Sequence, residues 1–325
     1  MTAFFSRKPA AELRLFFTTD IHGSERCFRK FLNAAQVHRA DVLVLGGDVA
    51  GKRIVPLVAE RDGLHGTLDG RSQVLRNEAS VAEFERTAAD QGLYVWHTDA
   101  NGVSRLTESP EAVEGVFLQL ASERLSRWLE LAGERLDPSK VRLFINLGND
   151  DPFELNPILE SSQFVYPEGR LVDLDGRRAM ASVGFANLTP WHCARDVPEE
   201  ELARRILEAV GSADLDGRQL VLNLHCPPYN SGLDTAALLD GDLNPVMQAG
   251  QPVLGPVGST AVREAIERYQ PILSLHGHIH ESRGVAKINR TVAINPGSEY
   301  PEGILRGALL TFDSKGLASY VLTSG

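Results

Sequence analysis

Five short apolar segments constrain the fold of this chain most strongly, because each ends in Asp, Asn or His within a loop that contains Gly or Pro. The segments are LRLFFTTDIHG, DVLVLGGDVAG, VRLFINLGNDDP, RQLVLNLHCPP and PILSLHGHIH. Apolar runs of this length are typical of buried strands, and we predict strands at 13–18, 42–45 and 141–147 among them. Helical segments such as SERCFRKFLNAAQVHRA lie between them. Alternation of this kind indicates a largely α/β architecture.

The polar residues that follow the five predicted strands are candidate site residues. In α/β folds, ligands bind at the carboxyl ends of the strands, so these side chains are expected to meet in one place. Side chains two apart in a strand face the same side, which predicts that His278 and His280 point together. The candidates are Asp20, His22, Asp48, Asn149, His225, His278 and His280.

The chemical types of these residues indicate metal binding. Carboxylate, amide and imidazole groups without thiolates suit Mn, Fe, Zn or Co better than a cysteine-based structural zinc site. Seven ligands are too many for one tetrahedral ion, but they suit two ions that share a carboxylate. Taken singly, Asp20 is typical of a helix cap, Asn149 is typical of a turn, and His225 is typical of a core histidine. The joint order of the motifs favours a two-metal site, which would activate a water and bind the oxygens of a phosphoryl group.

In this order, the motifs DIH, GGD, GND, LHCPP and GHIH resemble the signature of the calcineurin-like metallophosphoesterases. The segments SLHGHIHES, INPGSEYPEG and LTPWHCARDVPEEEL are similar to the Icc-like subgroup of predicted phosphoesterases. The resemblance covers most of the chain from about Leu13 onward and implies a four-layer αββα sandwich. His276 has no place in the pattern and is expected to support the site. The implied ligands are Asp20, His22 and His280 for the first metal, Asp48 as the bridge, and Asn149, His225 and His278 for the second.

One position departs from the family pattern. Asp150 stands where the family has a histidine that stabilises the transition state or protonates the leaving oxygen. We hypothesise that Asp150 lies beside the leaving group and that the reaction is slower, or biased toward good leaving groups. The alternative is that His192, in the Thr-Pro-Trp segment, takes this catalytic role from another loop. The simpler interpretations are that His192 is a surface residue and that Trp191 packs in the core.

The long interval between the second and third strands predicts an insertion. We interpret residues 1–325 as a single metallophosphoesterase domain in which residues 52–140 form an inserted, cap-like segment. The first part of the insertion, RIVPLVAERDGLHGTLDGRSQVL, indicates short strands around Asp-Gly turns. The later part, including PEAVEGVFLQLASERLSRWLELAGERL, indicates helices. A second independent domain is the alternative.

Charge and composition limit the classes of partner. The formal net charge is -10, so general electrostatic binding of nucleic acid is not expected. The three cysteines form no CxxC pattern, which indicates a reducing compartment. The segment MTAFFSRKPAAELRLFF lacks the long apolar core of a leader, and no run approaches the roughly 18 apolar residues that span a bilayer. We therefore expect a cytoplasmic protein that does not bind membranes; the sequence makes no prediction of oligomeric state.

The predicted activity is hydrolysis of phosphate esters by a metal-bridging hydroxide, with two divalent ions as cofactors. Mn is favoured among Mn, Fe, Zn and Co. Phosphodiesters are favoured because the subgroup is related to cyclic-nucleotide phosphodiesterases, and the expected substrate is a small phosphate ester or a nucleotide. The alternatives are a phosphomonoesterase or protein phosphatase, a nuclease acting on short oligonucleotides, and a catalytically weak metal-binding scaffold for protein recognition.

Overall fold

The computed structural model describes residues 12–211 and 218–325, so most of the N-terminal segment considered above lies outside the described residues. The first strands are β1 Leu13–Thr18, β2 Val42–Leu45, β3 Ile54–Glu60, β4 Gly63–Leu68, β5 Arg71–Leu75, β6 Tyr94–Thr98, β7 Arg142–Ile145, β8 Leu171–Asp173, β9 Arg178–Val183, β10 Ala186–Asn187 and β11 Asp196–Val197. The later strands are β12 Gln219–Leu224, β13 Thr235–Ala237, β14 Met247–Gln248, β15 Gln251–Pro252, β16 Leu254–Pro256, β17 Leu273–Leu275, β18 Gly284–Ile288, β19 Thr291–Asn295, β20 Arg306–Phe312 and β21 Leu317–Ser324. The α-helices are α1 Glu25–Val37, α2 Glu78–Asp90, α3 Ala100–Glu108, α4 Pro110–Arg135, α5 Asn156–Glu160, α6 Glu199–Val210 and α7 Thr260–Tyr269.

Two large sheets form the centre of the fold. The strand order is β21-β20-β1-β2-β7 in the first sheet and β18-β19-β17-β12-β9-β8 in the second. Strands β1, β2 and β7 are parallel, and so are β9, β12, β17 and β19. All five predicted strands are present in these two sheets. Because parallel strands end at the same edge of a sheet, the polar residues that follow them are brought together.

Three clusters of buried side chains show how the layers pack. One cluster lies between the two sheets and includes Phe17 of β1 and Val221 of β12. A second joins the outer face of the first sheet to α1 and α4, and a third joins the outer face of the second sheet to α6 and α7. Each sheet therefore has helices packed on its outer face, and the mixed α/β arrangement that the sequence predicts is confirmed.

Local chemistry explains how α1 and α4 begin and why they pack together. The hydroxyl of Ser24 accepts a hydrogen bond from the amide of Cys27 and caps α1. Ser109 caps α4 in the same way, and Pro110 occupies its first turn. The Trp128 ring of α4 stacks on Phe28 of α1 with ring centroids 4.2 Å apart. Helix α4 is therefore part of the main core.

Residues 52–140 contain the strands and helices predicted for the insertion. Strands β5, β4, β3 and β6 form a four-stranded sheet, and with α2 they bury a small cluster that includes Leu57 and Phe84. Strand β6 and helix α3 were not predicted. The division of the chain into one domain with an insertion stays a prediction. None of the described helices is long and apolar enough to cross a membrane.

Candidate metal centre

The loops that follow β1, β2, β7, β12 and β17 carry all seven predicted ligands. Backbone hydrogen bonds hold these loops together. The amide of Asp20 donates to the carbonyl of Gly47 at 2.9 Å, and the amide of His22 donates to the carbonyl of Asp48 at 3.0 Å. The amide of His278 donates to the Asp20 carboxylate at 3.0 Å, which joins the two sheets across the site. Residues separated by more than 250 positions in the chain thus meet at one point.

The first group of side chains consists of Asp20, His22, Asp48 and His280, whose ligand atoms all lie within 4.8 Å of one another. Nε2 of His22 lies 3.1 Å from Nε2 of His280, which in turn lies 3.3 Å from Oδ1 of Asp20. Two ligand atoms bound at about 2.1 Å to one ion are separated by roughly 3.0–3.4 Å. The spacing of these nitrogen and oxygen atoms therefore fits a shared cation.

The second group contains Asp48, His225 and His278. Nε2 of His225 lies 3.3 Å from Oδ1 of Asp48, and Nδ1 of His278 lies 2.9 Å from Oδ1 of Asn149. The side-chain amide of Asn149 donates to Asp196 at 2.9 Å, which turns its oxygen toward the group. Asp48 contributes Oδ2 to the first group and Oδ1 to the second. One carboxylate is thus placed between two groups of ligands.

The backbone at this site departs from the strand geometry predicted for the paired ligands. Strands β1 and β17 end at Thr18 and Leu275, so the prediction that His278 and His280 point together because they lie in a strand is wrong. They meet the other ligands because the loop turns sharply. The φ angles in the left-handed region are 53° for Asp20, 38° for His22, 50° for Asp48 and 67° for His278. Such conformations cost about 1–3 kcal/mol each and persist at functional sites.

Gly277 allows the histidine loop to approach β1 closely. A Cβ atom at this position would lie 2.2 Å from Oδ2 of Asp20 and 2.3 Å from Oγ1 of Thr19. Gly148 has the same role beside Asp48, since a Cβ there would lie 2.2 Å from Oδ1 of the carboxylate. The motif glycines are therefore required for space around the carboxylates.

Residues outside the ligand set hold its loops in place. The buried His276 has Nδ1 at 2.8 Å from the carbonyl of Leu224 and 3.0 Å from that of Cys226, as expected for a supporting histidine. The side-chain amide of Asn295 donates to the carbonyl of Ile279 at 2.9 Å, and the hydroxyl of Ser298 donates to the backbone carbonyl of Asp20 at 2.6 Å. These contacts tie the Asn-Pro-Gly-Ser segment to the loops that carry the ligands.

The charges at the site favour a cation between the carboxylates of Asp20 and Asp48. Burial raises the pKa of Asp20, but hydrogen bonding and charge from His280 and His225 outweigh it and lower the pKa to about 2. Burial also lowers the pKa of His225, yet Asp48 raises it to about 9. Both ring nitrogens of His225 are buried and make no hydrogen bond. A divalent cation would bind Nε2 of His225, which faces Asp48, and cations here would balance the charge of both carboxylates, so the residues fit a metal centre.

Asp150 is surrounded by partners that the sequence does not reveal. Its Oδ2 forms an ion pair with Nζ of Lys52, and its Oδ1 accepts a hydrogen bond from Sγ of Cys193 at 2.8 Å. The amide of Asp150 donates to Oδ1 of Asp48 at 3.1 Å, which fixes the loop beside the shared carboxylate. Burial lowers the pKa of Lys52, but the charges of Asp150 and Asp48 outweigh it and raise the pKa above its ordinary value.

A cavity of about 600 Å³ opens onto the centre. Lys52 is the one described residue of the 52–140 segment that lines it, so a cap role for the rest of that segment stays a prediction. The prediction that Trp191 packs in the core is wrong, because its side chain is 64% exposed and lines the cavity. His192 is exposed, has a φ of 51°, and is not among the residues that line this cavity. The neighbouring Cys193 lines it instead.

Comparisons with known proteins agree with this fold. No family model matches the sequence. An uncharacterized protein of Methanocaldococcus jannaschii, MJ1162, is 31% identical over 116 residues, which are 35% of this chain and 45% of that protein's length. One crystal structure matches with a TM-score of 0.55 and 17% identity, over 96% of this chain and 99% of the other. The protein TT1561 of Thermus thermophilus matches with a TM-score of 0.52 and 12% identity, over 97% and 99% of the two chains.

Solved structures of phosphoesterases are also among the similar folds. A dimetal phosphatase from Danio rerio has a TM-score of 0.45 and 11% identity, over 97% of this chain and 99% of the other. The two matches with TM-scores above 0.5 show that the chain shares its mixed α/β fold with solved structures over nearly its whole length. At these identities, the likeness concerns the fold and not the reaction.

Proposed function

We propose that this chain is a calcineurin-like metallophosphoesterase that hydrolyses phosphate esters with two divalent metal ions. The observation that carries the proposal is the position of Asp48, whose two carboxylate oxygens face two groups of buried and half-buried candidate ligands. A structural metal site needs one closed group. A carboxylate shared between two groups beside an open cavity suits two-metal hydrolysis at phosphorus.

The proposed ligand sets follow the two groups. Asp20, His22 and His280 would hold the first ion, Asn149, His225 and His278 would hold the second, and Asp48 would contribute one carboxylate oxygen to each. When bound, the two ions supply a water that is nucleophilic at neutral pH and positive charge for the phosphoryl oxygens. Asp196 fixes the orientation of the Asn149 oxygen, and His276 fixes the loop before His278. We favour Mn, with Fe, Zn and Co as alternatives, because mixed oxygen and nitrogen ligands accept all four.

We infer that Lys52 supplies positive charge at the substrate phosphate, where the family pattern has a histidine. The ammonium group lines the cavity beside Asp150, in the loop that follows the bridging carboxylate. A carboxylate that accepts from both Lys52 and Cys193 is poorly placed to protonate a leaving group. The role proposed for Asp150 is therefore to position Lys52. His192 is the competing candidate, and its exposed position outside the cavity lining favours Lys52.

Two substitutions separate these roles. We expect His192→Ala to retain the turnover of the wild-type protein, while Asp150→Ala releases Lys52 and lowers turnover. Replacement by Asn keeps the shape of Asp150 and removes its charge, so Asp150→Asn is the matched variant. If His192→Ala abolishes turnover and Asp150→Ala does not, His192 carries the catalytic role and the assignment to Lys52 is wrong.

Phosphodiesters are the favoured substrates because the cavity leaves space for a second substituent beyond the phosphate. The proposed partner is a small phosphate ester or a nucleotide, and strong nucleic-acid binding is not expected at a net charge of -10. The three free cysteines support a cytoplasmic location. A phosphomonoesterase, a short-oligonucleotide nuclease and a scaffold with little activity are the competing functions.

The test is hydrolysis of bis(p-nitrophenyl) phosphate and p-nitrophenyl phosphate by protein that has been chelated and then reconstituted with Mn²⁺. We expect turnover of the diester that chelator abolishes and that Asp48→Asn reduces by at least about a hundredfold, since the bridge between the ions is lost. Preference for the monoester would indicate a phosphatase. Absence of turnover for both esters, with two ions bound per chain, would contradict the proposed activity and favour the scaffold.

A further inference from the structure

The cavity beside the metal centre has a wall that is too apolar to be explained by phosphate binding. The metal-binding loops contribute its polar side chains, including Lys52 and Asp150. Two other segments contribute most of the apolar surface, namely residues 188–191 before β11 and residues 236–239 at the end of β13. The larger apolar residues of these two segments that line the cavity are Leu188, Pro190, Trp191, Leu238 and Leu239, and Ile279 of the histidine loop lies beside them.

Several of these apolar side chains are exposed although they lie beside a charged centre. Leu188 is 60% exposed and Trp191 is 64% exposed. Exposure of large apolar side chains costs free energy in a free protein and marks surfaces that bind other molecules. Because these two residues line the cavity that contains predicted ligands such as Asn149 and His278, their position indicates contact with a substrate at the metals.

Several polar groups at this side of the cavity are paired within the protein, so they are not free to bind a polar group of the substrate. The hydroxyl and amide of Thr189 both donate to Asp196, and the thiol of Cys193 donates to Asp150. The amide of Leu238 donates to the carbonyl of Val253. A base or sugar needs hydrogen-bond partners to be recognised, because burying its polar groups without them is unfavourable. An apolar group needs none.

We propose that the cavity binds an apolar substituent of a phosphodiester, aromatic or alkyl, whose phosphate lies at the metal centre. The proposal rests on the phosphoesterase function proposed above and names its substrate class. In the reaction, a water oxygen forms a bond to phosphorus, the bond from phosphorus to the leaving oxygen breaks, and a proton released by the water passes to the leaving oxygen. The products are an alcohol and a phosphomonoester that retains the apolar group. This group packs on Trp191 and Leu188, and the remaining phosphoryl oxygens face the metals and Lys52.

The first arm of the test measures binding, so that it does not depend on turnover. Methylphosphonate, hexylphosphonate, naphthylphosphonate and thymidine 5′-phosphate are titrated into the Mn²⁺-loaded protein by calorimetry. Each buried methylene contributes up to about fourfold in affinity, and the partly open wall reduces this contribution. We expect hexylphosphonate or naphthylphosphonate to bind at least about tenfold more tightly than methylphosphonate. The stronger of the two identifies the substituent as alkyl or aromatic. Equal affinity across the series, or strongest binding of the nucleotide, would overturn the proposal.

The second arm uses p-nitrophenyl diesters whose other substituent is methyl, hexyl, naphthyl or thymidine 5′, so that the leaving group is constant. We expect kcat/KM to follow the order of the binding constants. Leu188→Ala combined with Trp191→Ala should reduce the ratio of kcat/KM for the apolar esters to kcat/KM for the methyl ester by at least about fivefold. Both side chains are exposed, so their loss does not disturb the core. The control is Val321→Ala, an exposed apolar residue of β21. Absence of turnover for all four diesters would refute the phosphoesterase function alone, while turnover without selectivity would refute the apolar site alone.

Discussion

Replacement of Lys52 by Ala tests the catalytic inference that is specific to this chain. An ammonium group about 4 Å from a phosphoryl oxygen contributes about 4 kcal/mol at an effective dielectric constant of 20. The Lys52 side chain is 45% exposed, so solvent screening reduces the contribution to roughly 1–2 kcal/mol. We therefore expect Lys52→Ala to lower kcat/KM by about five- to thirtyfold.

The assay measures kcat and KM with bis(p-nitrophenyl) phosphate and, separately, the inhibition constant of inorganic phosphate. Lys52→Ala should weaken phosphate inhibition, because the ammonium group binds the anion in the absence of reaction. Lys52→Arg should retain part of kcat/KM and part of the phosphate inhibition, since it keeps the positive charge. Lys287→Ala, which removes an exposed lysine of β18, is the matched control. Unchanged kcat/KM and unchanged phosphate inhibition in Lys52→Ala, with two ions still bound, would refute the reasoning.

Three further predictions concern stability. Trp128→Ala should lower the free energy of unfolding by about 3–5 kcal/mol in urea denaturation, because Trp128 is buried against Phe28; a loss under about 1 kcal/mol would show that α4 is peripheral. Burial raises the pKa of the Glu168 carboxyl above its ordinary value of 4.5, so the contribution of this carboxyl to stability falls as the pH rises above 4.5. The free energy of unfolding of the wild-type protein should therefore fall relative to that of Glu168→Gln as the pH rises above 4.5, and parallel pH profiles of the two proteins would contradict this. Removal of Mn²⁺ held at a hundred times its Kd should lower the free energy of unfolding by about 3 kcal/mol, and an unchanged thermal midpoint after chelation would show that the native state binds no metal.

The position of the metal centre follows from local sequence patterns. Apolar runs such as Val42–Leu45 have the length and composition of buried strands, and the residues just after them, such as Asp48, have to lie at the strand ends. Parallel pairing then brings loops from distant parts of the chain to one edge. The chemical type of each side chain, together with its order in the chain, is sufficient to identify the cluster.

Other parts of the site depend on tertiary contacts that no local pattern contains. From the sequence alone, Lys52 is indistinguishable from any other loop lysine. It contacts Asp150 only because the loop after β2 approaches the loop after β7. Trp191 reads as a core residue because its apolar character does not show which loops remain uncovered. The left-handed backbone of His278 is imposed by contacts with Asp20, whereas the sequence alone favoured a continued strand.

The number of metal ions bound per chain tests the central claim most directly. The measurement is elemental analysis of Mn²⁺ after chelation, reconstitution at saturating metal and removal of free ions, for the wild-type protein and Asp48→Asn. Asp240→Asn, which alters a carboxylate in an exposed turn, is the control. A shared carboxylate predicts two ions in the wild type and in the control, and the loss of at least one in Asp48→Asn. One ion or none in the saturated wild-type protein would contradict a two-metal centre bridged by Asp48.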